Sequence, residues 1–223
     1  AYANFNDANV AVSTMTEDQK TLANAAMRNV HFRRAVMYSI DRATMVAQRK
    51  GEDLKYNCMI NAYVPGNFVY LSKEVTVDIN GESVTFPAGT AYGTIRQRQL
   101  EADGSTMKTY DEETGLGTGF DGWYNPEAAN AELAIAIEEL AAQGYEISAE
   151  NPVYLDIASF TGNDSFKNQD QALKQSVENV LGGVVIVNIV PCDTQKDWQN
   201  ATYYPNTGAE MNFNIGNNGG WGP

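Results

Sequence analysis

Between residues 29 and 51 (NVHFRRAVMYSIDRATMVAQRKG) the apolar positions follow a helical period. Phe32, Ala35, Val36, Ser39 and Ile40 recur at i, i+3, i+4, i+7 and i+8, the spacing of one buried helix face. Asn29 is placed to cap this helix, and Asp41 to cap a second one. The second carries Arg49 and Lys50 in its last turn and stops at Gly51. Arg33 and Arg34 fall in the first turn of the first helix, where the macrodipole disfavours cations. That placement anticipates an acidic neighbour from elsewhere in the fold. Upstream, Thr16 followed by Glu17 and Asp18 marks a helix start in a polar, Ala-rich stretch, and residues 1–6 (AYANFN) read as a short strand.

Further on the period changes. Residues 75–79 and 83–86 alternate about Asn80-Gly81, a strong hairpin signal. Residues 94–100 and 106–110 flank Asp103-Gly104 in the same way, so residues 72–122 read as a two-hairpin insertion at the surface. At Tyr124 helical regularity returns. Asn125 caps, Pro126 takes the first helical position, and Ala129, Leu133, Ala136, Ile137 and Leu140 form a stripe ending at Gly144. Residues 153–159 read as a strand. Residues 166–181 read as a helix buried through Leu173, Val177, Val180 and Leu181, stopped by Gly182-Gly183. The run 184–190 (VVIVNIV) has the near-continuous apolar character of a strand covered on both faces. Strand, helix, strand in this order is a βαβ unit with parallel strands. Trp198 falls in a short helix and residues 211–215 in a further strand. The expected fold class is α/β, a mixed sheet flanked by helices.

Charge narrows the partners. The 223 residues carry 15 Lys and Arg against 28 Asp and Glu, a net charge of −13. An anionic surface repels phosphate backbones and anionic lipid, so neither nucleic acid nor direct membrane insertion is expected. No apolar run approaches the roughly 20 residues of a membrane span. Cys58 and Cys192 are compatible with two buried thiols or with a pair in an oxidising compartment. With His31 they supply too few ligands for a metal site, and no cofactor is expected. The acid-rich stretch 111–121 lacks both the alternating calcium-loop pattern and a following G-K-[ST], and reads as a solvated loop. Hydrolysis by a nucleophile would need a base beside it. His31 instead sits next to the arginine pair, no G-x-S-x-G is present, and carboxylate pairs such as Glu112-Glu113 and Glu138-Glu139 read as solvated surface. An enzyme is therefore not expected.

Three stretches carry a resemblance. Phe32, Arg33, Ala35 and Val36, followed by Ser39, Ile40, Asp41 and Arg42, resemble the hallmark of the bacterial oligopeptide- and dipeptide-binding proteins, the receptors of peptide-import ABC transporters. Tyr124-Asn125-Pro126-Glu127 with Ala129 and Leu133 resembles that family's second hallmark helix. The run 173–182 (LKQSVENVLG) is similar to the Gram-positive oligopeptide receptors. Phe5-Asn6 and Val64-Pro65-Gly66 resemble a strand end and a turn of the same family. The likeness covers residues 5–71 and 124–223, with 72–122 outside it. It implies a two-lobed clamshell of the type II periplasmic-binding kind, of which residues 1–223 would be a single partial domain from the second lobe. The first lobe of the same chain, the permease subunits and a peptide ligand would be its partners. The implied location is extracellular, with a lipoprotein anchor lying outside this stretch.

The resemblance also implies a site. Trp221, Gly222 and Pro223 match the start of a Trp-x-x-Asp segment in which the Trp packs on the ligand and backbone groups pair with the peptide main chain. The Asp, which neutralises the peptide's α-ammonium, would follow Pro223. Asn217 and Asn218 stand where some relatives place arginines for a ligand carboxylate, with Gly219 and Gly220 beside the Trp. The expected contacts are therefore Asn217, Asn218, Gly220, Trp221 and Gly222. Without a fixed cation, longer peptides held through their backbone should be accepted. An oligosaccharide stacked on Trp221 is the alternative ligand.

Overall fold

A computed structural model describes residues 15–56, 59, 62, 64–113, 123–202 and 214–215. Its first three helices are α1 (Glu17–Arg28), α2 (Val30–Tyr38) and α3 (Arg42–Lys50), each started by the residue its sequence offers as a cap. Thr16 accepts from the Gln19 N–H at 3.2 Å while the Gln19 side chain returns to the Thr16 N–H at 2.9 Å, a capping box. Asn29 serves two helices. Its N–H closes α1 on the Ala26 carbonyl, and its Oδ1 accepts from Phe32 N–H at 2.9 Å to open α2. Asp41 caps α3 through the Thr44 N–H and hydroxyl.

The two misplaced arginines have separate explanations. Arg34 faces an acid, with Nη1 3.7 Å from Glu132 Oε1. Arg33 meets no acid among the described residues. Its Nη1 donates to the carbonyls of Met27 and Arg28 at 2.7 and 3.0 Å. Those are the last orphan carbonyls of α1, where a cation is favoured by the dipole and by hydrogen bonding.

Strands β1 (Val75–Ile79) and β2 (Glu82–Phe86) pair antiparallel, with Ile79 opposite Glu82. Asn80 (φ 52°) and Gly81 (φ 85°) supply the two positive dihedrals of a type I′ turn. The second expected hairpin does not form. Tyr92–Ala102 is a helix, α4, and Asp103-Gly104 ends it rather than turning a strand. Ser105 N–H bonds the Leu100 carbonyl and Gly104 N–H bonds that of Glu101, with Gly104 at φ 73°, which is a Schellman cap. The same dipeptide serves either geometry; the Arg, Gln, Leu, Glu and Ala content of 92–102 decides for helix. Residues 105–110 do not join a ladder, because Thr109 donates its N–H to the Gln97 side chain at 2.9 Å.

Helix α5 (Pro126–Ala142) precedes the βαβ unit, formed by β3 (Val153–Phe160), α6 (Asp164–Val180) and β4 (Val185–Cys192), and α7 (Gln195–Thr202) follows it. β3 and β4 run parallel, Val153 beside Val185 through Phe160 beside Cys192. On the other side of β3, Ile157 forms a parallel bridge with Ile215. Among the described residues the strands thus fall into two sheets, one antiparallel and one parallel, not one mixed sheet. Among the described residues β1 and β2 form a ladder only with each other. β4 also departs from its expectation of two covered faces. Val185, Val187, Val190 and Cys192 are buried, but Ile186, Asn188 and Ile189 are half-exposed and Pro191 is exposed. Among the described residues β4 has only β3 as a neighbour and lies at the edge of the parallel pair.

The main core joins Phe32 and Ala35 of α2, Leu133 and Leu140 of α5, Leu155 and Ile157 of β3, Val177 of α6 and Val187 of β4, all nearly or wholly inaccessible. α2 packs on α5, α3 on α6 and α1 on β3. Helix faces of small residues allow the close approach: Ala129 and Ala136 on α5, Ala23 and Ala26 on α1. The corner between α2 and α3 is tied from both sides. Asn125 N–H, at the start of α5, donates to the Tyr38 carbonyl at 2.9 Å. Ser176 on α6 donates to the Ser39 carbonyl at 2.6 Å and accepts from Asp41 N–H at 2.8 Å.

Candidate functional site

The five residues expected to contact ligand, Asn217, Asn218, Gly220, Trp221 and Gly222, lie outside the described residues, as do the expected strand at 1–6, Cys58 and most of 211–215. What is described is how the chain is fixed immediately before them. Asn214 and Ile215 dock on β3 through one residue, Asp156. Both of their N–H groups donate to its carbonyl at 3.1 Å, and Asp156 N–H donates to Asn214 Oδ1 at 2.9 Å. Asp156 is fully buried, and its Oδ1 accepts from Asn188 Nδ2 of β4 at 3.0 Å.

A buried carboxylate is costly unless hydrogen-bonded, so this acid is tolerated for the contacts it makes. Its backbone holds the third strand position and its side chain ties β3 to β4. Sequence reading passed over the pair, although the signal was visible: Asp156 and Asn188 are the polar interruptions of two apolar strands, in VYLDIASF and VIVNIVPC. Because the bridge at Ile157 is parallel, the chain at Ile215 runs in the same direction as β3 and β4.

The end of the sheet toward which all three run has its own small core. Phe160, Ala158, Val190, Cys192, Trp198 and Ala201 pack together. The Trp198 ring stacks on Phe166 with 5.7 Å between centroids and lies tilted to Phe160 at 6.4 Å. Thr161 binds the Cys192 carbonyl through both its N–H and its hydroxyl. These contacts fix the loop after β3 against the end of β4. Cys192 is a free thiol, 1% exposed, and burial pushes its pKa up to about 11, with Asp197 and Asp193 adding to the shift. A thiol so placed is a poor nucleophile at neutral pH.

The single histidine is placed by packing. His31 Nδ1 lies 2.5 Å from Glu132 Oε2, and Nε2 lies 3.8 Å from Glu139 Oε1, both acids on α5. Asn29 Nδ2 donates to Glu139 Oε2 at 2.7 Å. The group clamps α2 to α5. Among the described residues no three His, Cys, Asp or Glu side chains are grouped to hold a metal ion, and no helix is long and apolar enough to cross a membrane.

The described residues therefore define a mixed α/β unit in which helices flank small sheets and a pinned strand leads toward the C-terminal ends of a parallel pair. The curated proteins it resembles are oligopeptide-binding proteins. It is 28% identical over 211 residues to the oligopeptide-binding protein AmiA of Streptococcus pneumoniae and 29% identical over 209 residues to SarA of Streptococcus gordonii. AliA of S. pneumoniae is 26% identical over 211 residues. These matches take in 93 to 95% of this chain, and the chain spans 28% of the length of each relative. No protein-family model matches the chain. Among solved structures, a peptide-binding protein of a peptide ABC transporter is similar over 82% of this chain and 56% of that one, at 20% identity and a TM-score of 0.37.

Proposed function

We propose that this chain supplies part of one lobe of a substrate-binding protein for a peptide ABC importer, and that it captures extended oligopeptides between that lobe and a second one. The observation that carries the reading is the likeness to oligopeptide-binding proteins along 95% of the chain. The proposed role is capture and delivery to permease subunits, without catalysis, on the outer face of the cell and held there by a lipid anchor elsewhere in the full protein. A main-chain-bound peptide suits such a site, because backbone hydrogen bonds are indifferent to side-chain identity. Trp221 would pack on the ligand, the backbone of Gly220 and Gly222 would pair with it, and Asn217 and Asn218 would border it. Asn214 and its Asp156 anchor would hold that segment at the mouth of the parallel sheet, where α/β folds commonly bind ligands. With no cation at 217–220, a free ligand carboxylate would not be required.

Thermal-shift screening of the full-length protein with peptide and oligosaccharide pools tests this, since a ligand that binds only the native state raises its melting temperature. Peptides, with or without C-terminal amidation, should raise it. A shift with sugars alone would replace the peptide reading. A shift confined to di- and tripeptides with free carboxylates would remove the backbone-only site.

A further inference from the structure

We infer that Lys174 and Glu178 of α6 act as a side-chain plug that fills the hydrogen-bonding edge of β4 and keeps the parallel sheet from accepting another strand, in particular β4 of a second copy. Along β4 the residues alternate in which way their backbone groups point. Val184 and Cys192 direct their carbonyls toward the β3 side, to Val153 N–H and Thr161 N–H, so Val185, Val187, Ile189 and Pro191 direct theirs to the outer edge. Such an edge is a template for strand addition.

At Val187 it is occupied by side chains in the roles a neighbouring strand would take. Val187 N–H donates to Glu178 Oε1 at 2.9 Å, and Lys174 Nζ donates to the Val187 carbonyl at 2.8 Å. The two side chains close on each other, Nζ to Oε1 at 2.5 Å, and each is more than two-thirds buried. Pro191 then ends the edge, having no N–H to offer. Between plug and proline only Ile189 presents a full donor–acceptor pair without a described partner, beside a cavity of about 320 Å³ lined by Gln171, Lys174 and residues 187–191. Before the plug only Val185 faces the edge, and a single pair on either side is too short for a strand.

The order of the charges supports a role toward the strand. On an isolated helix Lys four residues before Glu is the weaker arrangement. A helix returning antiparallel to β4 needs the donor nearer its own start to reach the carbonyl, and the acceptor one turn later to reach the N–H. Lys174 and Glu178 meet that requirement and the reverse order would not.

The full-length protein tests this in three forms: native, Lys174→Met/Glu178→Leu, and the swap Lys174→Glu/Glu178→Lys. The swap keeps the helix ion pair, and in its better order, while misplacing donor and acceptor. Amide exchange at Val187 should quicken at least about tenfold in both variants, and the self-association constant from sedimentation should rise at least about tenfold. Native-like exchange and association in the swap would overturn the inference. Faster exchange without increased association would overturn the guarding role as well. A folded far-UV spectrum for the swap keeps either result interpretable.

Discussion

Replacing Ser176 by Ala should loosen the α2–α3 corner. The hydroxyl makes two partly buried bonds at 2.6 and 2.8 Å, to the Ser39 carbonyl and from Asp41 N–H. Ser39 itself is fully buried. Each such bond contributes about 1 kcal/mol net, and a backbone group left without a partner in a part-buried place costs somewhat more. The gross loss is about 2 to 3 kcal/mol. Ala is the better helix former by about 0.5 kcal/mol, which leaves about 2 kcal/mol. For a chain of this size that corresponds to about 4 to 8 °C in Tm. Urea denaturation followed by circular dichroism measures it, with Gln175→Ala at the adjacent exposed position as the control. A loss under about 0.5 kcal/mol for Ser176→Ala would refute the claim that α6 holds this corner.

Three further outcomes are expected. Ala at Gly66 would set its Cβ 2.1 Å from Tyr110 Cδ2, and Ala at Gly93 would set its Cβ 2.3 Å from Tyr110 Cγ and 2.7 Å from the Gly66 backbone. Gly66→Ala should therefore destabilise by about 2 kcal/mol or more and be largely rescued by Tyr110→Ala, while Gly93→Ala should be rescued only in part; equal rescue of the two would contradict this packing. Arg33→Met should cost about 1 kcal/mol through the α1 terminus, measured by urea denaturation, with a smaller loss for Arg33→Lys. Burial raises the Cys192 thiol from 9.0 to about 11, so the folded state keeps a proton that the unfolded chain releases. That advantage is complete below the unfolded value and lost as pH rises from about 9 to about 11. Native protein should lose stability across this window relative to Cys192→Ala, both in a Cys58→Ala background, and parallel pH curves would refute it.

The helical elements were legible because their signals are local. Asn29, Asp41 and Asn125 cap where their positions say, and the stripe from Ala129 to Leu140 is buried as its period requires. The βαβ unit followed from two apolar runs about a periodic helix. What escaped was either ambiguous in its local signal or set by the fold. Asp103-Gly104 carries the same signal in a hairpin and in a helix cap, and only the chain before it decides. Arg33 shows a misfit from sequence, but its partners are carbonyls rather than the expected acid. The partial exposure of β4 on both faces, at Ile186 and Asn188 on one and at Ile189 and Pro191 on the other, is not revealed by an apolar run. For the candidate site, the expected contacts at 217–222 rested on resemblance alone. The anchor that precedes them, Asp156 with Asn188 and Asn214, was visible only as polar letters in apolar strands, and its geometry needed the fold.

The most direct test of the central claim is calorimetric titration of the full-length protein with a defined hexapeptide, native and Trp221→Ala. The account predicts stoichiometric binding by the native protein, retained when the peptide's C-terminus is amidated, and weakened at least about tenfold by Trp221→Ala. Absence of peptide binding by the folded native protein, or full affinity in the Trp221→Ala variant, would contradict it.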